Sequence, residues 1–276
     1  MKGKRIRILI SEILFLLLTI ICWIPIYYFV IGAFKERRDI VKYPLKVSPD
    51  LFTVENFTYV WKKMDFLKTL GNTAFITVMA LVIVIVCSAL AGFAIARIRR
   101  RMFQVYYSLL VALMVVPFIG CVISLVVLSN RMNLYNSLWG CVLIQAAWNM
   151  PFAVFLYTGF MGGLPKELEE AAYIDGCSTV QVFARIFLPL QAPVTATCCI
   201  RCGIGMWNDY LVSNSLLNSA RTPTLMVGIQ QFFGAYVSEY GYAFAGIILA
   251  SLPILVMFVF LQKYFIKGLV AGAVKG

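Results

Sequence analysis

Along its length the chain alternates long apolar runs with short polar stretches. Six of the runs reach the ~20 residues that a helix needs to cross the hydrocarbon core of a bilayer. They fall near 9–34, 70–96, 103–128, 137–161, 190–214 and 242–265, and Arg201, Asn208 and Asp209 interrupt the fifth. In lipid each backbone group must find its partner within the protein, so open strands are ruled out and such runs predict helices. The pattern predicts an all-α integral membrane protein of about six transmembrane helices. Pro25, Pro117, Pro151 and Pro253 lie inside spans and permit kinks there.

The longest polar interval, roughly 35–68, carries Pro44, Pro49 and charges of both signs. Its aromatics Phe52, Phe57, Tyr59 and Trp61 suit an amphipathic segment at the membrane interface. This divides the chain into residues 1–69, holding an N-terminal tail, a first span and an extracytoplasmic loop, and a core membrane domain over 70–276. A basic start before an apolar run looks like a signal peptide. The run from Ile8 to Phe34 is too long for a signal core and no A-x-A site follows, so it reads as a retained helix.

Composition agrees with the pattern. The chain is 62% apolar and 13% charged, with a mean hydropathy of +0.88, whereas a soluble domain is nearer half apolar and about a quarter charged. The net charge of +12 raises nucleic acid as a partner. The basic residues gather instead at the ends of apolar runs, as Lys2, Lys4, Arg5, Arg7 and as Arg97, Arg99, Arg100, Arg101. Placed there they are topology determinants, and both termini are expected in the cytoplasm. The polar loop near 35–68 is also basic, so charge alone favours that topology only slightly. Eight cysteines are scattered among aliphatic residues and the chain has no histidine, so no metal site is expected. Cysteine here reads as a small hydrophobe.

One polar stretch, Gly163 to Pro189, is unlike the rest. Pro165 fits a first helical position, and Glu167, Glu169 and Glu170 favour the positive end of a helix. Gly176 supplies a left-handed stop. Ser178 followed by Gln181 forms a capping box for a second short helix, which Pro189 would end. Ala171 and Ala172 let another backbone approach closely. The physics alone leaves two readings open, an acidic knob for a partner or an ordinary amphipathic connector.

Glu170-Ala171-Ala172, three residues, Gly176, nine residues, Ile186, one residue, Leu188-Pro189 resembles the EAA loop of bacterial ATP-binding-cassette (ABC) importer permeases at every defining position. Trp207-Asn208-Asp209-Tyr210, Arg221-Thr222-Pro223-Thr224-Leu225 and the ending Gly268 to Gly276 extend the likeness to the short, six-helix permease of the maltose-type carbohydrate systems. The resemblance implies a type I ABC importer permease fold whose loop forms a cytoplasmic coupling helix. In that family the helix docks in a cleft of the ATPase. Carried over, Ala171, Ala172 and Gly176 fit the cleft, Glu170 pairs with a basic residue, and Asp175, Leu188 and Pro189 belong to the same coupling set. The implied partners are a second non-identical permease, an ATPase dimer and an extracytoplasmic sugar-binding protein, in a bacterial inner membrane. No G-x-x-x-x-G-K-[ST] loop occurs in this chain, so it is expected to be no enzyme and to carry no cofactor, with ATP–Mg held by the ATPase.

Within the spans, Arg201 is a mid-span charge, costly unless it serves a pathway or a partner. Asn149, Arg201, Trp207, Asn208 and Asp209 form a candidate sugar path. For the polar and aromatic ones, helix–helix hydrogen bonding and an interfacial belt are the competing readings. The main rival function is an ion-coupled secondary transporter, for which Asp209 is the one credible deep acid. A membrane enzyme would need an acid–base pair, a metal set or an activated nucleophile, and the spans offer none.

Overall fold

The structure, a computed structural model, describes residues 2–98, 100–217, 222–234 and 239–273, so Arg99, Arg221 and residues 274–276 of the sequence signatures lie outside it. Among the described residues four helices are long and apolar enough to cross a membrane: Ile8–Ala33, Phe66–Arg97, Leu138–Gly162 and Tyr240–Phe260. Two bent pairs, Arg101–Leu113 with Phe118–Arg131 and Thr179–Leu190 with Ala192–Trp207, raise the total to as many as six.

The chain divides into two compact units. The first comprises Met1–Leu67 and Gly228–Leu252. Past its basic start, helix α1 (Lys2–Ala33) is apolar on all sides and stays exposed until its last turn, where Gly32 and Ala33 are buried. An apolar surface left open along most of a helix suits lipid or another protein in the membrane. After α1 come α2 (Arg37–Lys42) and α3 (Glu55–Lys63). The predicted amphipathic segment is α3, which buries Asn56 and Val60. Asn56 Nδ2 donates to the carbonyls of Ala33 and Lys35, both at 2.8 Å, tying α3 to the end of α1. The aromatics stack on the chain itself: Phe34 on Phe52 at 4.8 Å and Tyr59 on Tyr242 at 4.3 Å.

The second unit comprises Lys68–Val227 and Pro253–Gly276. Its core lies between α4 (Phe66–Arg97), α7 (Leu138–Gly162) and α11 (Ala192–Trp207), and small side chains let the helices close. Ala80, Cys141, Ala153, Cys198 and Cys202 are all fully buried, so these cysteines do act as small apolar residues. At Gly92 the backbones of α4 and α7 come close. A Cβ there would meet Tyr157 Cβ at 2.7 Å and the backbone of Thr158 at 3.0 Å. Close backbone approach through small residues is how helices associate where lipid removes the hydrophobic drive.

Two spans differ from expectation. The run 103–128 is not one helix. It is α5 (Arg101–Leu113) and α6 (Phe118–Arg131), bent by 109°. Pro117 explains the break: it lacks an N–H, its ring disfavours helix at Val116, and it sits in extended geometry at the start of α6. The run 190–214 also breaks, since α11 ends at Trp207 and a short α12 (Leu211–Leu216) follows.

The second loop helix ends one residue past Pro189, at Leu190. After α9 (Thr179–Val182) the chain widens into a π-helical turn over Phe183–Phe187 and continues through α10 (Leu188–Leu190), where Pro189 occupies the first turn. The widened turn just before it gives room to a residue that has no N–H to donate. The change of direction, 66°, comes between Leu190 and Ala192. Pro25, Pro151 and Pro253 lie within continuous helices.

Candidate functional site

The polar loop folds as the local rules require. Helix α8 (Glu167–Ile174) carries Glu167, Glu169 and Glu170 in its first turn. It starts two residues later than the sequence implied, so Pro165 precedes it rather than opening it. At its far end Gly176 has φ +80°, its N–H donates to the Tyr173 carbonyl at 3.1 Å, and the Cys177 N–H reaches the Ala172 carbonyl at 2.9 Å. These two bonds make a Schellman motif, which needs the left-handed residue that glycine supplies without strain. The capping box forms as read. The Ser178 N–H donates to Gln181 Oε1 at 2.8 Å, and the Gln181 N–H to Ser178 Oγ at 3.4 Å.

What holds the loop to the membrane helices is a small apolar cluster. Ala172, Val182 and Phe187 pack with Phe93 of α4 and Met161 of α7, and Leu164, Cys177 and Ile186 lie against them. Arg97, the last residue of α4, is almost entirely buried there. Its Nε lies 3.5 Å from Glu169 Oε2, an Nη donates to the Leu164 carbonyl at 3.0 Å, and the guanidinium sits 5.1 Å from the Phe187 ring centroid. The sequence placed Arg97 among topology determinants, and nothing local revealed it as an anchor for a loop some seventy residues away.

The predicted coupling residues divide by face. Glu170, Ala171, Asp175 and Gly176 are exposed, as are Leu188 and Pro189. Ala172 is buried against the chain's own core, so it cannot also fit a partner's cleft. Its small size serves the docking of α8 on α4 and α7. Of the four acids in the knob, Glu169 turns inward to Arg97 while Glu167, Glu170 and Asp175 stay at the surface. Two residues not singled out from sequence complete the outer face: Ile174 and Val180 are 86% and 75% exposed. Apolar side chains standing out of an otherwise charged loop were the available signal.

The candidate path residues also separate. Asn149, Arg201, Phe152 and Trp148 line a cavity of about 550 Å³ beside the α5–α6 bend. The Arg201 guanidinium lies 5.5 Å from the Phe152 ring centroid. Trp207 is buried, Asn208 is exposed, and neither lines that cavity. Asp209 is a helix cap. Its Oδ1 accepts from the Val212 N–H at 3.1 Å, and its Oδ2 from the Ser213 N–H and hydroxyl, each at 2.9 Å. An aspartate committed to starting α12 is not a free acid for ion coupling.

Residues 85–270 match the family model of the binding-protein-dependent transport system inner membrane component. The melibiose/raffinose/stachyose import permease protein MelC of Bacillus subtilis is 34% identical over 279 residues, with 100% of this chain and 98% of that protein covered. The diacetylchitobiose uptake system permease protein DasC of Streptomyces coelicolor is 33% identical, covering 91% of each chain. In fold, the chain superposes on a bacterial ABC transporter involved in the import of the acidic polysaccharide alginate. That match has a TM-score of 0.80 at 19% identity and covers 96% of this chain and 98% of the other. The chain therefore belongs to the binding-protein-dependent transport system inner membrane components, the multi-pass permeases of ABC importers.

Proposed function

We propose that this permease moves a carbohydrate, of oligosaccharide size, across the cytoplasmic membrane together with a second, non-identical permease. The family supplies the ATPase and the extracytoplasmic binding protein as partners. The names of the relatives above, all sugar importers, support the substrate class. One observation carries the coupling assignment: the loop 163–189 is clamped to α4 and α7 from within while Glu170, Ala171, Asp175 and Gly176 face outward. A rigidly seated surface of this kind transmits a push from the ATPase to the spans. ATP–Mg is bound by that partner, a reading supported by the lack of a phosphate-binding loop in the sequence.

The same contacts support a topology. A loop that meets the ATPase is cytoplasmic, and Arg97 ties the C-terminal end of α4 to it. Tracing the spans outward from there leaves both termini in the cytoplasm.

The test is affinity purification of the chain from native membranes, as wild type and as Glu170→Arg. Recovery of an ATPase and a second permease is expected for wild type, with the ATPase lost from the variant. Recovery of the chain alone, with uptake indifferent to ATP, would overturn the reading.

A further inference from the structure

The cavity beside the α5–α6 bend is mostly apolar, and its polar groups are few: Arg201, Asn149 and Ser129. Asn149 Nδ2 is held by the Gln145 carbonyl at 2.9 Å, which leaves its Oδ1 for the cavity. Arg201 stands out. Among the described residues it makes no ion pair; the pairs there join Arg37 to Glu239, Arg38 to Asp39 and Arg97 to Glu169. Its contact is with the face of Phe152. A guanidinium at span depth, turned into a cavity and lacking a carboxylate, is costly to retain without a function.

Resting on the reading of the chain as a carbohydrate permease, we propose that this cavity is a subsite for a sugar carrying a carboxylate, with Arg201 as its receptor. The guanidinium offers a planar fork that matches a carboxylate in two parallel hydrogen bonds. Trp148 and Phe152 give flat apolar faces against which the C–H side of a pyranose ring packs, and Asn149 Oδ1 accepts from a hydroxyl. The volume of about 550 Å³ suits a sugar of one or two rings. A single cation matches the one negative charge on each uronate ring better than the two charges that a phosphate concentrates on one group. The cargo predicted is thus an acidic oligosaccharide, and Arg201 is a specificity-determining residue.

The experiment uses the intact complex of both permeases and the ATPase in lipid nanodiscs. Equilibrium dialysis measures radiolabelled digalacturonate and neutral galactobiose binding to wild type, Arg201→Gln and Arg201→Lys. Wild type is expected to prefer digalacturonate by about tenfold or more, the worth of one charge-assisted contact. Arg201→Gln should reduce that preference to about twofold or less, with Arg201→Lys between, and with subunit recovery unchanged. Equal binding of both sugars, binding of neither, or a preference that survives in Arg201→Gln would overturn the proposal. Loss of the second permease from the Arg201→Gln complex would overturn it too, by assigning the missing carboxylate to that subunit. Failure of the importer reading is distinct: no ATPase would be recovered and no ATP hydrolysis measured in the wild-type preparation.

Discussion

Arg97 and Glu169 meet at 3.5 Å beneath the coupling loop, the arginine side chain only 4% exposed and the glutamate 18%. This pair joins the end of a membrane helix to the first turn of α8. A buried arginine deprived of its carboxylate is left uncompensated, which costs about 1–3 kcal/mol at a site of this kind. Glu169→Gln removes the charge at nearly constant volume. Hydrogen exchange of the α8 amides should then quicken roughly ten- to a hundredfold, since each 1.4 kcal/mol is about a factor of ten. Amides in the middle of α7 should not change. Unchanged exchange in α8 would mean that the apolar cluster alone seats the loop.

Gly176 combines a left-handed backbone with open space, since a Cβ there would meet nothing within 4 Å. Alanine in that conformation costs about 1 kcal/mol. Gly176→Ala should insert normally and keep most of its transport. Gly176→Trp carries the same backbone cost and also fills the surface where a partner docks, so it should lose the ATPase on co-purification. Equal behaviour of the two variants would place the requirement in the backbone and not in the docking surface.

At Gly92 the opposite holds. Its Cβ position is occupied by Tyr157, whose hydroxyl meets Thr195 Oγ1 at 2.7 Å and so links α7 to α11. Gly92→Val forces α4 and α7 apart, and such overpacking costs roughly 1–3 kcal/mol. Fluorescence-detected size exclusion should show aggregation or a lowered melting temperature for this variant, while Gly71→Val, where nothing lies within 4 Å, should elute as wild type.

Asp209 gives a clean discrimination between a cap and an ion-coupling acid. Asn keeps one of the two acceptor oxygens used here and so costs less than Ala, which keeps neither and costs about 1 kcal/mol. Uptake by Asp209→Asn should therefore remain within about twofold of wild type, and Asp209→Ala should lose thermal stability first. Abolition of transport by Asp209→Asn, with normal assembly, would contradict the cap.

Where a signal was local, the sequence carried it. The Ser178–Gln181 capping box, the left-handed stop at Gly176 and the apolar lengths of α1, α4, α7 and α14 (Tyr240–Ala273) are each set by residues within a turn or a span of one another. Partners far apart in the chain were not legible. The anchoring role of Arg97 depends on Glu169 and Leu164, and the inward turn of Ala172 on Phe93 and Met161, so only the assembled helices display them. The 109° bend lay between the two cases. Pro117 marked the place, but an apolar window reads the same for a straight helix and a folded one. The cap at Asp209 depends on the Val212 and Ser213 N–H groups that open the next helix, and the apolar length of a span does not display them.

The π-helical turn joins loop and span in a particular way. Val182 and Phe187, five residues apart, are both fully buried. In an α-helix that spacing would set them about 140° apart, whereas hydrogen bonding from i to i+5 stacks them on one side. One surplus residue thus keeps the inward face in register across the joint. Deleting Ala184 alone would still align the two at ordinary helical spacing, but it would press the ring of Pro189 against an α-helical carbonyl. The surplus residue and the proline are therefore coupled, and a relative that lacks one is expected to lack the other.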